Sequence, residues 1–333
     1  MLKQSALEQL QDKKNLLAFS AGGDSTALFF LLLEHNIKFD IAIVNYGIRE
    51  QSKEEIIYAQ ELSKSHNLEC HIFDAIEIGN NFEAQARKIR YSFFQELIKT
   101  FHYTNLLTAH HLGDRFEWML MQFCKGAGCA ELSGMKEIQT EEGYTLVRPL
   151  LHYDKQELLQ YLQINKYKYF EDETNLDISI KRNAFRHNFT QPLLEKHLNG
   201  IKKSFKYLDE DIKSLLQTVK IKQIKDFAYF KNTHHPRSNI FAIDKYLKSC
   251  GHIISAKERE LLKNKETVVV GRKYLINQNK EFVFIAPFIE DAVVIDKNFK
   301  EQCRKMKIEP KLRKYLFLHQ EIFETLKEFH SHL

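Results

Sequence analysis

Cysteine is sparse in this sequence and never paired. The five cysteines, Cys70, Cys124, Cys129, Cys250 and Cys303, are scattered over 333 residues. Their number is odd and no two stand in C-x-x-C spacing. That argues against a disulfide framework and against a zinc or iron–sulfur site, and reduced thiols are the expectation. Long hydrophobic runs are also missing. Leu28 to Leu33 ends at Glu34-His35, far short of the ~20 apolar residues a membrane span needs. The opening Met1-Leu2-Lys3-Gln4-Ser5 lacks the apolar core and cleavage site of a secretory signal. A cytoplasmic protein without membrane association is expected. Repeats and low-complexity tracts are absent as well.

What is present suffices for ordinary cores, with 44% hydrophobic residues, and the length predicts two domains. The net charge of +5 hides an asymmetry. Residues 201–333 hold 27 Lys and Arg against 17 Asp and Glu, whereas residues 1–200 hold 22 against 27. A basic module joined to a mildly acidic one suggests a polyanionic partner such as nucleic acid. A lysine-rich solvated surface gives the same composition.

Strand-like and helical patterns alternate over the first 150 residues. Asn15–Ala18, Phe39–Val44, Leu68–Phe73, Asn105–Ala109 and Leu146–Arg148 read as strands. Helical patterns lie between them, with a Ser52/Glu55 capping box expected before Lys53–His66. This predicts a doubly wound, mostly parallel five-stranded α/β sheet. Such sheets bind ligands beyond the carboxyl ends of their strands. Three polar clusters fall there: Ser20-Ala21-Gly22-Gly23-Asp24-Ser25, Asn45–Arg49 and His110–Asp114. The first is a strand–turn–helix start, where unpaired N–H groups and the macrodipole favour an anion. A turn with Ser, Gly and Asp as ordinary capping residues would look similar. A carboxylate repels phosphate, so Asp24 points to an intervening divalent cation, Mg2+. Residues 199–220 read as a helical connector. The last part, 201–333, reads as a smaller basic mixed α/β domain behind a domain spanning 1–200. Helical signals are weak between Asp226 and Ser255. Strands are expected at Thr267–Arg272 and Lys280–Ile285, and a helix at Leu316–His330.

Ser20–Ser25 resembles the SGGxDS loop of the N-type ATP pyrophosphatases, the PP-loop superfamily, in which an α–β phosphate bond is cleaved. Four further stretches resemble one family within it, the tRNA(Ile)-lysidine synthetases: Asn45–Arg49, Glu83–Tyr91, Thr108–Asp114 with Glu117, and Glu171–Asn175 followed by Arg182-Asn183 and Arg186-His187. The likeness runs from about residue 15 to 195. Two departures stand out. Ala21 replaces the first glycine of the loop, at a cost of roughly 1 kcal/mol if the turn needs positive φ. Tyr46 replaces the usual histidine.

The resemblance implies ATP and Mg2+ as cofactors, tRNA(Ile) with a CAU anticodon and free L-lysine as substrates, and is compatible with a homodimer. The reaction implied is adenylation of C2 of cytidine 34, then displacement of AMP by the lysine ε-amine. By matching position, Ser20, Ala21, Gly22, Gly23, Asp24 and Ser25 would bind ATP, with Asp24 on the metal. Asp24, Arg90, His110 and Asp114 would be catalytic. Asp114 and Glu117, three apart on one helical face, would hold one cation, the lysine ammonium or in part Mg2+. Arg87, Lys125, Arg182 and Arg186 would touch tRNA. The alternatives are a PP-loop tRNA thiolase, for which the cysteines are poorly placed, and a non-catalytic tRNA-binding module.

Overall fold

The computed structural model describes residues 2–47, 51–75, 82–171, 181–217 and 219–331. The chain divides into two compact units, Met1–Asp209 and Glu210–Leu333.

The first unit is built on strands β1 (Asn15–Ala18), β2 (Asp40–Asn45), β3 (Cys70–Asp74), β4 (Asn105–Leu107), β5 (Ile138–Glu141) and β6 (Tyr144–Val147), in the order β3-β2-β1-β4-β6-β5. All pairs are parallel except β5 with β6. That antiparallel edge strand adds a sixth to the five expected. Its hairpin turns through Glu142-Gly143, with Gly143 at φ +84°, a conformation glycine adopts without penalty. Successive residues of each central strand face opposite layers. Leu17, Ile41, Ile43, Leu107 and Val147 pack in one core, with α1 (Gln4–Leu10), α2 (Gly23–Glu34), α3 (Gln51–His66) and, later in the chain, the helix Lys155–Asn165. Leu16, Ala42, Leu106 and Leu146 join the opposite core with Phe93, Phe94, Leu97 and Ile98 of α4 (Phe82–Phe101). Helices on both faces make the sheet doubly wound. Because β1 continues outward to β2 on one side and the chain returns to β4 on the other, the strand order reverses between β1 and β4. A crevice opens at the carboxyl ends of such a pair.

The remaining helices of this unit are α5 (Leu112–Phe123), α6 (Cys129–Leu132), α7 (Lys155–Asn165), α8 (Lys181–Phe185), a π-helical turn at Arg186–Thr190, and α9 (Gln191–Leu215), which runs past the unit boundary. Asp154 caps α7, accepting from Gln156 N–H at 3.1 Å, while Glu157 reaches back to Asp154 N–H at 2.7 Å. Ser52, the expected cap of α3, is instead its second residue and is buried. The tyrosines and phenylalanines that follow are mainly core: Tyr167 stacks on Phe30 with ring centroids 3.5 Å apart. Among the described residues Arg115 is the largest fully buried side chain. It donates to Ser133 O at 3.0 Å and to both Asp209 oxygens at 3.0 and 2.5 Å, with Phe205 against its guanidinium.

The second unit is an antiparallel sheet of β7 (Lys222–Ile224), β8 (Phe227–Lys231), β9 (Thr267–Val270), β10 (Tyr274–Gln278) and β11 (Phe282–Pro287), ordered β7-β8-β11-β10-β9. Alternation again splits its faces. Ala228, Phe230, Ile276 and Ile285 meet α10 (Pro236–Ser249) and α11 (Ala256–Asn264), whereas Phe227, Tyr229, Leu275 and Phe284 meet α12 (Lys297–Lys305), α13 (Pro310–Leu318) and α14 (Gln320–Ser331). Helix α10 lies in the stretch read as weakly helical. Pro236 sits at its first turn, where a missing N–H costs nothing. The single helix expected at the end is two, α13 and α14, broken at His319.

Candidate active site

The loop after β1 is held by its own hydroxyls. Ser25 Oγ accepts from Ser20 N–H at 3.2 Å, lies 3.1 Å from Ser20 Oγ, and donates to Gly22 O at 3.0 Å. Phe170 N–H donates to Ala21 O at 2.9 Å, pinning the turn from outside. Ala21 has φ +58° and is fully buried in the core, so the left-handed conformation suspected at this position is real. Gly22 caps α2 with an ordinary extended φ of −73°. At Gly23 a Cβ would approach Leu159 Cδ2 to 3.2 Å, so packing favours glycine there. Asp24 follows, in the first turn of α2. Its Oδ1 is buried and has no hydrogen-bond partner.

Across the crevice, β4 delivers Thr108, His110, His111 and Asp114. His111 is the N-cap of α5, its Nδ1 accepting from Gly113 N–H at 3.0 Å, while Asp114 Oδ2 accepts from His111 N–H at 3.0 Å. His111 Nε2 then stands 3.8 Å from Asp24 Oδ2 and 3.6 Å from Asp114 Oδ2. His110 Nδ1 is 2.8 Å from Thr108 Oγ1. Burial pushes His110 down to about 4; Asp114 opposes this, and Arg148, Arg182 and Arg87 add to it. For Asp114 burial acts upward, but His111, His110, Arg182 and the His111 backbone N–H outweigh it and hold the carboxyl below the usual range.

Asp114 and Glu117 share one face of α5 and both meet arginines, one from α8 and one from the π-helical turn that follows it. Arg182 donates to Asp114 Oδ1 at 3.0 Å and also bonds Glu117. Arg186 donates to Glu117 Oε2 at 3.0 Å and lies 3.5 Å from Asp114 Oδ1. Glu117 is 1% exposed, so its charge is compensated by this pair of guanidinium groups. Sequence reasoning assigned Arg182 and Arg186 to tRNA; in the structure they contact the carboxylates assigned to lysine.

The other expected site residues are more dispersed. Arg90 is half-buried on α4, and its charge reaches Tyr46, whose hydroxyl donates to Ala86 O at 3.3 Å. Arg87 is exposed and lies over the Tyr91 ring. Lys125 is exposed beyond the end of α5, roughly 16 Å along the axis from Asp114 at ~1.5 Å per residue. Ile48, Arg49 and Asp172–Asn175 lie outside the described residues. Two residues were missed from sequence. His111 was quoted only as part of a motif, because histidine is not a usual cap; the signal was Asp114 three residues on. Arg148 is buried, donating to Lys136 O at 2.8 Å, and its Nε has no partner.

For a divalent cation, the unpartnered Asp24 Oδ1 is the fitting donor. Among the described residues no group of three or more His, Cys, Asp or Glu could enclose a metal. Mg2+ is bound through one or two carboxylates and fills its remaining positions with water and phosphate oxygens.

A serine–glycine turn on a helix start at the switch point of a doubly wound sheet defines an anion-binding α/β protein. The family model of the PP-loop domain matches residues 2–193, so the chain is a PP-loop protein, a class that uses ATP. The U34-tRNA thiolase NcsA from Methanococcus maripaludis, solved with its [4Fe-4S] cluster, shares the fold with a TM-score of 0.52 at 20% identity, covering 64% of this chain and 75% of that one. Curated relatives are much nearer. The tRNA(Ile)-lysidine synthase of Helicobacter pylori is 40% identical over 331 residues, 98% of this chain and 97% of its own. That of Wolinella succinogenes is 44% identical over 93% and 95%, and that of Campylobacter jejuni 38% over 96% and 97%. The chain belongs to the tRNA(Ile)-lysidine synthase family.

Proposed function

We propose that this protein is a carbon–nitrogen ligase that joins free L-lysine to C2 of cytidine 34 in tRNA(Ile) bearing a CAU anticodon, in the cytoplasm. Residues 1–200 would form the catalytic domain and 201–333 the basic tRNA-recognition domain. The observation that carries the reading is the placement of Asp24 and Asp114 on either side of the His111 ring, at the crevice between β1 and β4, which would bring an ATP phosphate site and an ammonium site together.

The chemistry has two steps. The C2 oxygen of the base attacks the α-phosphorus of ATP, and the bond to pyrophosphate breaks. The lysine ε-amine then attacks C2, the bond from C2 to the AMP oxygen breaks, and the amine gives up a proton. The Ser20–Ser25 turn supplies N–H and hydroxyl donors for charge building on the leaving pyrophosphate. A divalent cation on Asp24 Oδ1 would neutralise that charge further. Asp114 and Glu117 would orient the lysine ammonium, which must enter beside Arg182 and Arg186 or displace them. With its pKa near 4, His110 meets substrate as a neutral ring at physiological pH. Arg90, Arg87 and Lys125 are left to contact phosphates.

The test is incorporation of [14C]lysine into a tRNA(Ile) transcript in the presence of ATP and Mg2+, with AMP measured alongside. ATP-dependent incorporation is expected. Asp24→Ala is expected to abolish it while tRNA affinity stays within about twofold, since the phosphate contacts that dominate affinity lie elsewhere. Bound tRNA without incorporation by the parent protein would point instead to a binding module. Sedimentation of the same preparation tests the homodimer.

A further inference from the structure

We propose that His111 is a positioning residue that couples the ATP loop to the lysine-binding carboxylates; the inference rests on the assignment of Asp24 to ATP and Asp114 to lysine. The ring is fixed from its own helix. Nδ1 accepts the Gly113 N–H at 3.0 Å, so the neutral ring carries its proton on Nε2. That N–H stands between two carboxylate oxygens, Asp24 Oδ2 at 3.8 Å and Asp114 Oδ2 at 3.6 Å. The two carboxylates sit in the first turns of α2 and α5, the helices that follow the adjacent strands β1 and β4, on either side of the switch point. Their other oxygens differ: Asp24 Oδ1 has no hydrogen-bond partner, and Asp114 Oδ1 accepts from Arg182 and lies 3.5 Å from Arg186.

The ring has little freedom. It is buried, and a Cβ on Gly113 would come within 2.7 Å of His111 Cε1, so the glycine leaves the space the ring fills. Asp114 is held by the His111 backbone N–H, Arg182 and Arg186, so the link runs through the ring: a cation that draws Asp24 away from the ring N–H leaves that N–H to Asp114 Oδ2 alone. A second ligand that takes the place of the arginines then meets a carboxylate whose rotamer is still set, and it loses less conformational freedom on binding.

Two substitutions separate this role from simple helix capping. His111→Asn keeps a side-chain oxygen near the place of Nδ1, able to accept from Gly113 N–H and cap α5, but has no N–H at the reach of Nε2. His111→Gln restores an N–H at that reach and is a poor cap. Lysine affinity is measured by calorimetry with and without a saturating non-hydrolysable Mg–ATP analogue, beside the thermal midpoint. The parent is expected to bind lysine at least about fivefold more tightly with the analogue present. For His111→Asn the midpoint should stay within about 2 °C of the parent, each ligand alone should bind within about threefold, and the linkage should fall to less than about twofold. His111→Gln should recover part of the linkage despite a lower midpoint. An undiminished linkage in His111→Asn, or none in the parent, overturns the proposal. Lysine binding that is absent, or indifferent to Asp114→Asn, instead overturns the site assignment beneath it and the proposal with it.

Discussion

Ala21 holds two opposing terms at a single residue. Its φ of +58° costs an L-residue roughly 1 kcal/mol relative to glycine. Its methyl group, fully buried, contributes about 0.8 kcal/mol, and glycine would also loosen the unfolded chain. Ala21→Gly should therefore change stability by less than about 1 kcal/mol in urea unfolding. Ala21→Val, β-branched at positive φ in a packed core, should lose more than about 2 kcal/mol. His152 gives a second residue-scale test. Burial lowers it to about 4, and the charges of Lys3 and Arg115 act the same way against Asp209. Between the unfolded value near 6.5 and about 4, the unfolded chain takes up a proton that the native state refuses. Its contribution is complete above about pH 6.5 and is lost as the pH falls toward 4, by up to about 1.4 kcal/mol per pH unit. His152→Gln should flatten this slope when urea unfolding at about pH 7 and about pH 5 is compared.

At the scale of elements, helix α9 is fastened to α5 by one buried cation. Arg115 is 1% exposed and its partner Asp209 is 36% exposed on the side chain. Asp209→Ala strands the guanidinium, at a cost of about 2–3 kcal/mol, below the ~3–5 kcal/mol of fully buried pairs because the carboxylate reaches solvent. The double variant Arg115→Met/Asp209→Leu should recover most of that in urea unfolding, since no uncompensated charge remains. Neither residue drew attention in the sequence, because an Arg and an Asp 94 positions apart leave no local pattern. Other elements were legible for the converse reason. Short continuous apolar runs such as Leu16-Leu17 and Leu106-Leu107 and the glycine turn are local signals, and they located β1, β4 and the loop between β1 and α2. Helix α10 was obscured because Pro236 reads as a breaker until its place at the helix start is seen. Strand β10 contains Asn277 and Gln278, polar residues whose amides find partners only in the folded sheet, Asn277 on Thr267 Oγ1 at 3.0 Å. In the site, the residues of single motifs were identified, but pairing between motifs was not. That Arg182 and Arg186 meet Asp114 and Glu117, and that His111 faces Asp24, depends on how the chain returns across the sheet.

For the molecule as a whole, charge is divided along the chain rather than mixed. The 27 cations against 17 anions in residues 201–333 face a front part with 22 against 27. Binding of tRNA should then be dominated by the back part and governed by counterion release, because neutralised phosphates shed condensed cations whatever their sequence. Between about 50 and about 200 mM salt the affinity of the full chain for tRNA(Ile) should fall by more than about 250-fold, a log–log slope steeper than about −4. Lys263, in the last turn of α11, and Lys265, just after that helix, are exposed, and their replacement leaves the buried faces of that sheet untouched. Lys263→Glu/Lys265→Glu should weaken tRNA binding and make the slope shallower by about one to two units, without shifting ATP affinity. Filter binding over a salt series measures both quantities at once. A slope unchanged by the double substitution would place the phosphate contacts on another face of the basic unit. A slope shallower than about −2 in the parent would mean that its lysines serve solubility rather than recognition.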